Sequence, residues 1–136
     1  MIGPSLLKLL LRSQPVYSVV VDRVYLGSRP QDSKLPAIVM TQVSRQTPRT
    51  YKGAAGYELG RMQIDILAAT YGGAKELAEA VRTTLDNYSG VGDRPSYEID
   101  RLEIEDERDI ASEQQGRSSP VFGVAFDAVY QAHNDT

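Results

Sequence analysis

Residues 57–88 read YELGRMQIDILAATYGGAKELAEAVRTTLDNY, and two periodicities stand back to back within them. In the first half, an apolar side chain occupies every second position. These positions are Met62, Ile64, Ile66 and Ala68. A period of two predicts a β-strand that has one face on a core and the other mostly in water.

In the second half, the apolar residues recur at steps of three and four. They are Tyr71, Ala74, Leu77, Ala78, Val81, Leu85 and Tyr88. Charged side chains fill the gaps between them, so the spacing predicts an amphipathic helix. Gly72 and Gly73 at the junction match neither the dinucleotide-binding nor the P-loop spacing of glycines. These residues therefore predict part of a layered sheet-and-helix fold and indicate no chemistry.

Length and composition indicate one ordinary globular domain. The chain has 136 residues, and we assign 1–136 to a single domain. Its charged residues make up 24% and its hydrophobic residues 41%, which is typical of a soluble protein. It has no cysteine, which excludes disulfides and thiolate metal sites. The leucine-rich run 6–11 is too short to span a bilayer, so we expect no membrane partner.

The charge is divided unevenly along the chain. Residues 1–61 carry nine Lys and Arg against three acids, a net of +6, and 62–136 carry six against fifteen, a net of −9. Such asymmetry suits a head-to-tail contact between copies, in which a basic surface meets an acidic one. The alternative is that both halves are solvated faces of a monomer.

The rest of the sequence supplies the other elements. We expect a helix from Pro4 to about Ser13, ended by Gln14-Pro15, and strands at Val24–Leu26, Ala37–Gln46, Tyr97–Ile110 and Val121–Tyr130. We expect a hairpin loop at about 46–57, a flexible loop at about 111–119 and a frayed tail at 131–136. The fold class is then α+β in the order α-β-β-β-α-β-β. Its largely antiparallel sheet has about four main strands, with two helices packed on one face.

The strand at 97–110 has a fault in its phase. Tyr97 and Ile99 share one face, whereas Leu102 and Ile104 follow on the other parity. A shift of one residue predicts a β-bulge. Beyond it, the face opposite Leu102 would be a solvated, strongly acidic stripe made of Arg101, Glu103, Glu105 and Glu107.

The acidic run 103–109 is the one candidate for metal binding or acid–base chemistry, since paired carboxylates can hold Ca²⁺ or Mg²⁺ or exchange protons. It lacks the glycine turn of a calcium loop, and a strand would divide its acids between two faces. We prefer the alternative, a solvated strand face that discourages edge-to-edge aggregation. Nucleophilic catalysis would need a base, but His133, the only histidine, lies in the expected tail. We therefore expect no catalytic, cofactor or metal site.

Several segments, taken in order, resemble a family of small bacteriophage proteins. They are Asp22-Arg-Val-Tyr-Leu, Leu35-Pro-Ala-Ile-Val-Met, Arg61-Met-Gln-Ile-Asp-Ile-Leu-Ala-Ala-Thr-Tyr, Ala74-Lys-Glu-Leu-Ala-Glu-Ala-Val-Arg and Glu-Asp-Glu-Arg-Asp at 105–109, before a closing aromatic strand. The family comprises the tail-completion or tail-terminator proteins of long-tailed phages, which also occur in gene transfer agents. The resemblance covers roughly residues 5–131 and depends on the order and spacing of the segments.

The resemblance implies a structural protein without catalytic residues. Such proteins form a ring, generally a hexamer, on the head-proximal end of the tail tube. The ring stops tube polymerisation and provides the docking surface for the head's connector. The implied partners are copies of the chain, the major tail tube protein and the connector (stopper) protein. DNA passes through the ring, which is assembled in the bacterial host cytoplasm and stays at the head–tail junction of the virion.

Two other functions remain open from the sequence. A head-completion protein, acting as stopper or adaptor, would occupy the next ring up. A small α+β binding domain or hydrolase belongs to a different class. Sequence-specific binding of nucleic acid is not expected, because the chain is acidic overall and carries no known module signature.

A ring of identical subunits needs two different surfaces on each copy. We predict that the basic hairpin of one subunit contacts the acidic strand of the next. The residues predicted for this interface are Arg45, Arg49, Tyr51 and Lys52 on the hairpin and Glu103, Glu105, Glu107 and Asp109 on the strand.

Overall fold

The computed structural model describes residues 2–29, 34–47, 49–50, 53–54, 57–86, 97–113 and 121–134. Its helices are α1 (Ile2–Arg12), α2 (Gln14–Val20) and α3 (Tyr71–Leu85). Its strands are β1 (Val24–Leu26), β2 (Ala37–Gln46), β3 (Arg49–Thr50), β4 (Gly53–Ala54), β5 (Tyr57–Ala68), β6 (Tyr97–Glu113) and β7 (Val121–Asn134). No helix in the described ranges has both the length and the apolar character needed to cross a membrane.

Five strands form the main sheet, in the order β1-β2-β5-β7-β6. Only the short β1 runs parallel to its neighbour, and the other pairs are antiparallel. β3 and β4, which lie between β2 and β5 along the chain, form a separate two-stranded ribbon. This arrangement confirms the α+β class, the antiparallel sheet and the extended hairpin.

One hydrophobic core joins the three helices to one face of the sheet. β5 alternates as predicted, with Met62, Ile64 and Ile66 buried and the residues between them half-buried. These side chains pack in one hydrophobic cluster with residues of all three helices. The helix residues are Leu6 and Leu10 of α1, Val16 and Val20 of α2, and Leu77, Val81 and Leu85 of α3. We call this side the helix face and the other side the opposite face.

Helix α3 begins where the sequence predicts. The Thr70 hydroxyl accepts a 3.0 Å hydrogen bond from the backbone N–H of Gly73. This bond satisfies one of the amide groups that a helix start leaves without a partner. The capping therefore needs no acidic side chain in the first turn.

The structure adds a helix that the sequence analysis did not include. α1 ends at Arg12, close to the predicted position, but Pro15 lies in the first turn of α2. Proline is favoured there because its missing N–H would have no partner in the helix. Val16 and Val20, one turn apart, are fully buried. Within the described ranges, three helices and not two therefore lie on the helix face.

The last strand is longer than predicted. β7 continues to Asn134, and Gln131, Ala132 and His133 pair with β5 on one side and β6 on the other. Ala132 is fully buried. The prediction of a frayed tail is therefore wrong for 131–134, because two neighbouring strands extend far enough to pair with these residues.

The edge strand β6 is also longer, and it contains three irregularities. It continues to Glu113, so the prediction that a loop begins at residue 111 is wrong for 111–113, and 114–120 lie outside the described residues. The pairing shifts between Ile99 and Arg101, which confirms the predicted bulge. Two further shifts were not predicted, between Ile104 and Asp106 and between Ile110 and Glu113.

Candidate assembly surfaces

The connection between β2 and β5 contains the short β3–β4 ribbon, and the four residues predicted for its interface differ in how the structure describes them. β3 and β4 pair through Arg49 with Ala54 and Thr50 with Gly53, on either side of residues 51 and 52. Tyr51 and Lys52 lie outside the described residues, as does the side chain of Arg49. Of the four hairpin residues predicted for the interface, Arg45 is the one whose side chain is among those described.

Arg45 lies on the helix face because β2 contains a bulge. Gln42 pairs with Met62 on that face, the register shifts at Val43, and Arg45 then lies opposite Gly60. A one-residue shift moves every following side chain to the other face of a sheet. The bulge therefore directs Arg45 towards the helix face and leaves Val43 exposed.

On the helix face, Arg45 meets a buried carboxylate. Its Nε lies 3.2 Å from Oε2 of Glu58, which is only 5% exposed. The hydroxyl of Tyr130 donates a 2.8 Å hydrogen bond to the same oxygen and lies 3.4 Å from Oε1 of Gln42. Burial, and then the hydrogen bond to Glu58, raises the pKa of Tyr130 well above its ordinary value. We call Gln42, Arg45, Glu58 and Tyr130 the Glu58 cluster.

This cluster was not predicted from the sequence, although the sequence contains a signal for it. Glu58 has the parity of Met62 and Ile64, the inward positions of the strand. An acidic residue at an inward position needs hydrogen-bonding partners. Searching for those partners could have drawn attention to Glu58 before the fold was known.

The predicted acidic stripe is divided between the two faces of the sheet. Glu103 pairs with Val129, and both belong to the opposite face. Glu105 occupies the second bulge. Beyond that bulge, Glu107 pairs with Phe126 and Asp109 with Val124, which belong to the helix face. The prediction of one stripe is therefore wrong, because a second register shift reverses the parity of the strand.

On the helix face, the carboxylates of β6 contact α3. Lys75 Nζ lies 2.7 Å from Asp109 Oδ1, and the Tyr71 hydroxyl donates a 2.8 Å hydrogen bond to Asp109 Oδ2. Both hydrogen bonds lower the pKa of Asp109, and the one that Lys75 donates to Asp109 also raises the pKa of Lys75. Glu107 lies 3.9 Å from both Lys75 and Arg82, a distance that allows electrostatic attraction but no hydrogen bond.

On the opposite face, charged residues form a network across three strands. Arg61 Nη2 lies 2.9 Å from Glu105 Oε1, and Arg61 Nη1 lies 3.8 Å from Asp127. Arg108 Nη1 lies 3.1 Å from Asp106 and 3.3 Å from Asp127. The pKa of Arg61 is raised mainly by its hydrogen bond with Glu105, and that of Arg108 by its hydrogen bond with Asp106.

All four predicted acidic interface residues thus have a basic partner within the chain. The partner of Glu103 is Arg101, at 3.9 Å. The carboxylate side chains are 34% to 53% exposed, so water and a neighbouring molecule can reach them. Ion pairs that are this exposed stabilise a fold little and can exchange partners.

The residues considered for chemistry do not come together. Among the described residues, no group of three or more His, Asp or Glu side chains is arranged to hold a metal ion. His133 lies in β7, and its Nδ1 is 2.8 Å and 3.0 Å from the two carboxylate oxygens of Asp100. His133 is therefore part of the sheet. The prediction that it lies in a tail is wrong.

An apolar groove of about 420 Å³ lies where α2, α3 and the end of β5 meet. Its lining includes Pro15, Val19, Pro36, Ala69, Leu77 and Ala80. The Thr70 hydroxyl at its edge already accepts a hydrogen bond from the backbone of α3. Glu76 also lies in the lining, so the groove combines mostly apolar contact area, which suits binding, with one carboxylate.

Comparison with known proteins identifies a family. Residues 4–130 match the family described as "Tail completion protein gp17". A chain of the solved structure titled "Virion of native gene transfer agent (GTA) particle" is similar in fold, with a TM-score of 0.68 and 14% identity. The match covers 95% of this chain and 92% of that one. No curated protein sequence matches significantly.

Proposed function

The chain belongs to the tail completion protein gp17 family, and from this membership we propose that it is a tail terminator, a ring that caps the head-proximal end of a phage-type tail tube. The ring would stop polymerisation of the tube and join the tail to the head's connector. The observation that carries the proposal is the family match, because it spans residues 4–130, which contain every described residue of the hydrophobic core except Ala132.

The similarity of fold supports the same assignment. The similar chain comes from a structure titled as a gene transfer agent virion. Its match covers nearly the whole of both chains, so the whole fold, and not one motif, is shared. Our proposal places this protein at the head–tail junction of a virion, assembled in the bacterial host cytoplasm.

We propose further that the protein is not an enzyme. The carboxylates considered for catalysis, Glu103, Glu105, Glu107 and Asp109, contact arginine or lysine side chains of the same chain. A catalytic carboxylate would instead face a pocket and have a pKa tuned to proton transfer. A general acid or base near neutral pH needs a carboxylate pKa above its ordinary value, whereas the pKa of Asp109 is below it.

The proposed partners are other copies of the chain, in a ring of six, and then the tail tube protein below and the connector above. We propose that the hairpin contacts the acidic strand β6 of the next subunit. In this contact the basic side chains would come from Arg49 and Lys52, with Tyr51 adding apolar area. Glu103 and Glu105 on the opposite face would receive them, together with Glu107 and Asp109 on the helix face.

Tail tubes provide the direct test of the proposed function. Purified protein is mixed with tubes polymerised from the tail tube protein and examined by negative-stain electron microscopy. We expect rings on one end of each tube and a halt in elongation when the protein is added during polymerisation. Tubes that keep growing with bare ends would contradict the proposal. Binding to the connector without capping would instead indicate a stopper.

A further inference from the structure

A buried carboxylate and a β-bulge lie where the hairpin leaves the sheet. The pairing of β2 with β5 ends at Gln46 and Leu59, and the ribbon of β3 and β4 follows. Glu58, next to the last of these pairs, is the buried charged side chain in the described part of the chain. The bulge at Val43 lies three residues before Gln46.

The Glu58 cluster connects three strands at this point. Arg45 and Gln42 belong to β2, Glu58 to β5 and Tyr130 to β7. The amide nitrogen of Gln42 also donates hydrogen bonds to the backbone carbonyls of Ser44 (2.6 Å) and Arg61 (3.2 Å), which pair with each other directly after the bulge. The cluster therefore fixes both the bulge and the last residues of each hairpin arm.

Gly60 provides the space that the cluster needs. The ring of Tyr130 lies directly over Gly60, where a Cβ atom would overlap its Cζ and hydroxyl atoms. Only with glycine at this position can the ring cross β5 and bring its hydroxyl to Glu58. An aromatic ring that covers a glycine of a neighbouring strand is also a device for fixing register.

Stability alone does not account for a carboxylate in this position. Replacing a buried ionic group by apolar side chains of similar volume is often neutral or stabilising. A buried polar cluster does, however, allow only the few geometries in which every partner is satisfied. It can therefore select one direction of the hairpin among the several that an apolar contact would tolerate.

We infer that the Glu58 cluster sets the direction in which the hairpin leaves the sheet and so positions it for contact with the next subunit. The inference deepens the proposed function, since it depends on the hairpin being an assembly surface. It reassigns Arg45 as well. Arg45 acts through Glu58 within its own subunit, and the contact with the neighbour is left to residues beyond Gln46.

The absence of cysteine makes a distance measurement straightforward. Spin labels are placed on Lys52→Cys in the hairpin and Thr83→Cys, an exposed position of α3. Pulsed electron paramagnetic resonance then gives the distance distribution in the free chain. The cluster is perturbed by Tyr130→Phe, which removes only the hydroxyl, and separately by Glu58→Gln, which removes only the charge. Tyr71→Phe is the matched control, because it also removes a 2.8 Å hydrogen bond from a tyrosine to a carboxylate.

We expect a narrow distribution in the parent chain and in the Tyr71→Phe control, and a clearly broader or displaced one in both cluster variants. Without the labels, the cluster variants should need at least about tenfold more protein to form rings, the factor that corresponds to losing one hydrogen bond to a charged group. A broad distribution in the parent chain would overturn the inference. A lower Tm with an unchanged distribution would also overturn it, because the cluster would then only stabilise the fold.

The proposed function can fail separately from this inference. If the unmodified protein neither forms rings nor caps tubes, the tail-terminator proposal fails, whereas the distances still show whether the cluster orients the hairpin. If the unmodified protein caps tubes and both cluster variants cap them equally well, only the inference fails.

Discussion

Lys75 of α3 and Asp109 of β6 form an ion pair of 2.7 Å that ties the helix layer to the edge of the sheet. Its contribution to stability depends on pH in a predictable direction. The pKa of Asp109 is lower in the folded chain than its ordinary value of 3.8. The stabilisation is therefore fully present above pH 3.8 and is lost as the pH falls through the folded pKa.

The first prediction follows from this dependence. We expect Asp109→Asn to lower the Tm at pH 7 and to lose this effect as the pH falls below 3.8 and Asp109 of the parent protein becomes protonated. Thermal unfolding of both proteins, followed by circular dichroism between pH 2 and 7, measures the difference. A difference in Tm that stays constant over this range would show that the charge of Asp109 contributes nothing.

The second prediction concerns the core. Val81 is fully buried between α3 and the sheet, so Val81→Asp would bury a charge without a partner. We expect a loss of several kcal/mol in the free energy of unfolding, measured with urea. The control is Thr83→Asp, two residues further along the same helix and exposed, which should change stability by less than about 0.5 kcal/mol. Equal effects of the two substitutions would contradict the packing.

The third prediction concerns Gly60. Gly60→Ala places a methyl group where the ring of Tyr130 lies, so the ring must move. We expect a loss of about 1–3 kcal/mol, the usual cost of overpacking. Gly72→Ala is the matched control, because its new methyl group meets nothing within 4 Å beyond its chain neighbours and the backbone of its own helix. In helix α3 the control should stabilise the protein by up to about 1 kcal/mol. A neutral Gly60→Ala would show that the ring is free to move.

The β5–α3 unit could be predicted from the sequence for a physical reason. Its two periods, two and then about 3.6 residues, extend over many residues, and each burial pattern follows directly from the geometry of a strand or a helix. Helix α2 has only seven residues, which is too few to show a period, and a proline such as Pro15 is typical both of a helix end and of a helix start. The polar residues near His133 gave no sign that two strands would pair with them.

The assembly surfaces could be predicted less well, because bulges decide them. A bulge reverses which side chains share a face, and hydrophobic period does not show its position when the residues around it are all charged. This is why Glu107 and Asp109 lie on the helix face although they follow Glu103 in the sequence. The bulge at Val43 likewise removed Arg45 from the predicted surface.

The fourth prediction concerns the acids of β6. Changing Glu103, Glu105 and Glu107 together to Gln should leave the fold intact, because each side chain is at least 34% exposed. We expect an unchanged circular dichroism spectrum, a small decrease in Tm and weaker ring formation in analytical ultracentrifugation. A bound divalent ion coordinated by two or more of these carboxylates would contradict this interpretation. Unfolding of the variant would show that their contacts with Arg61 and Arg82 are structural.

The fifth prediction concerns the charges that hold the ring together. Salt screens the attraction between exposed charges, over a distance of about 8 Å at physiological ionic strength and a shorter one at higher salt, so ring formation should weaken as salt is added. Each such pair contributes under about 1 kcal/mol, and several pairs together with Tyr51 are needed for a stable interface. The hairpin is basic and strand β6 is acidic in every copy, so this contact is available all around a closed ring.

Reversing the hairpin charges with Arg49→Glu and Lys52→Glu should therefore abolish ring formation and tube capping. The Tm of the free chain should stay nearly the same, because charged side chains of a polar connection usually contribute little to stability. Lys8→Glu with Lys34→Glu changes the net charge equally at two exposed positions outside the hairpin, and this control should still cap tubes. Adding Glu103→Lys to the hairpin variant should restore part of the assembly, measured by ultracentrifugation and microscopy. Normal capping by the hairpin variant would show that the ring is held by other contacts, even if the protein is a tail terminator.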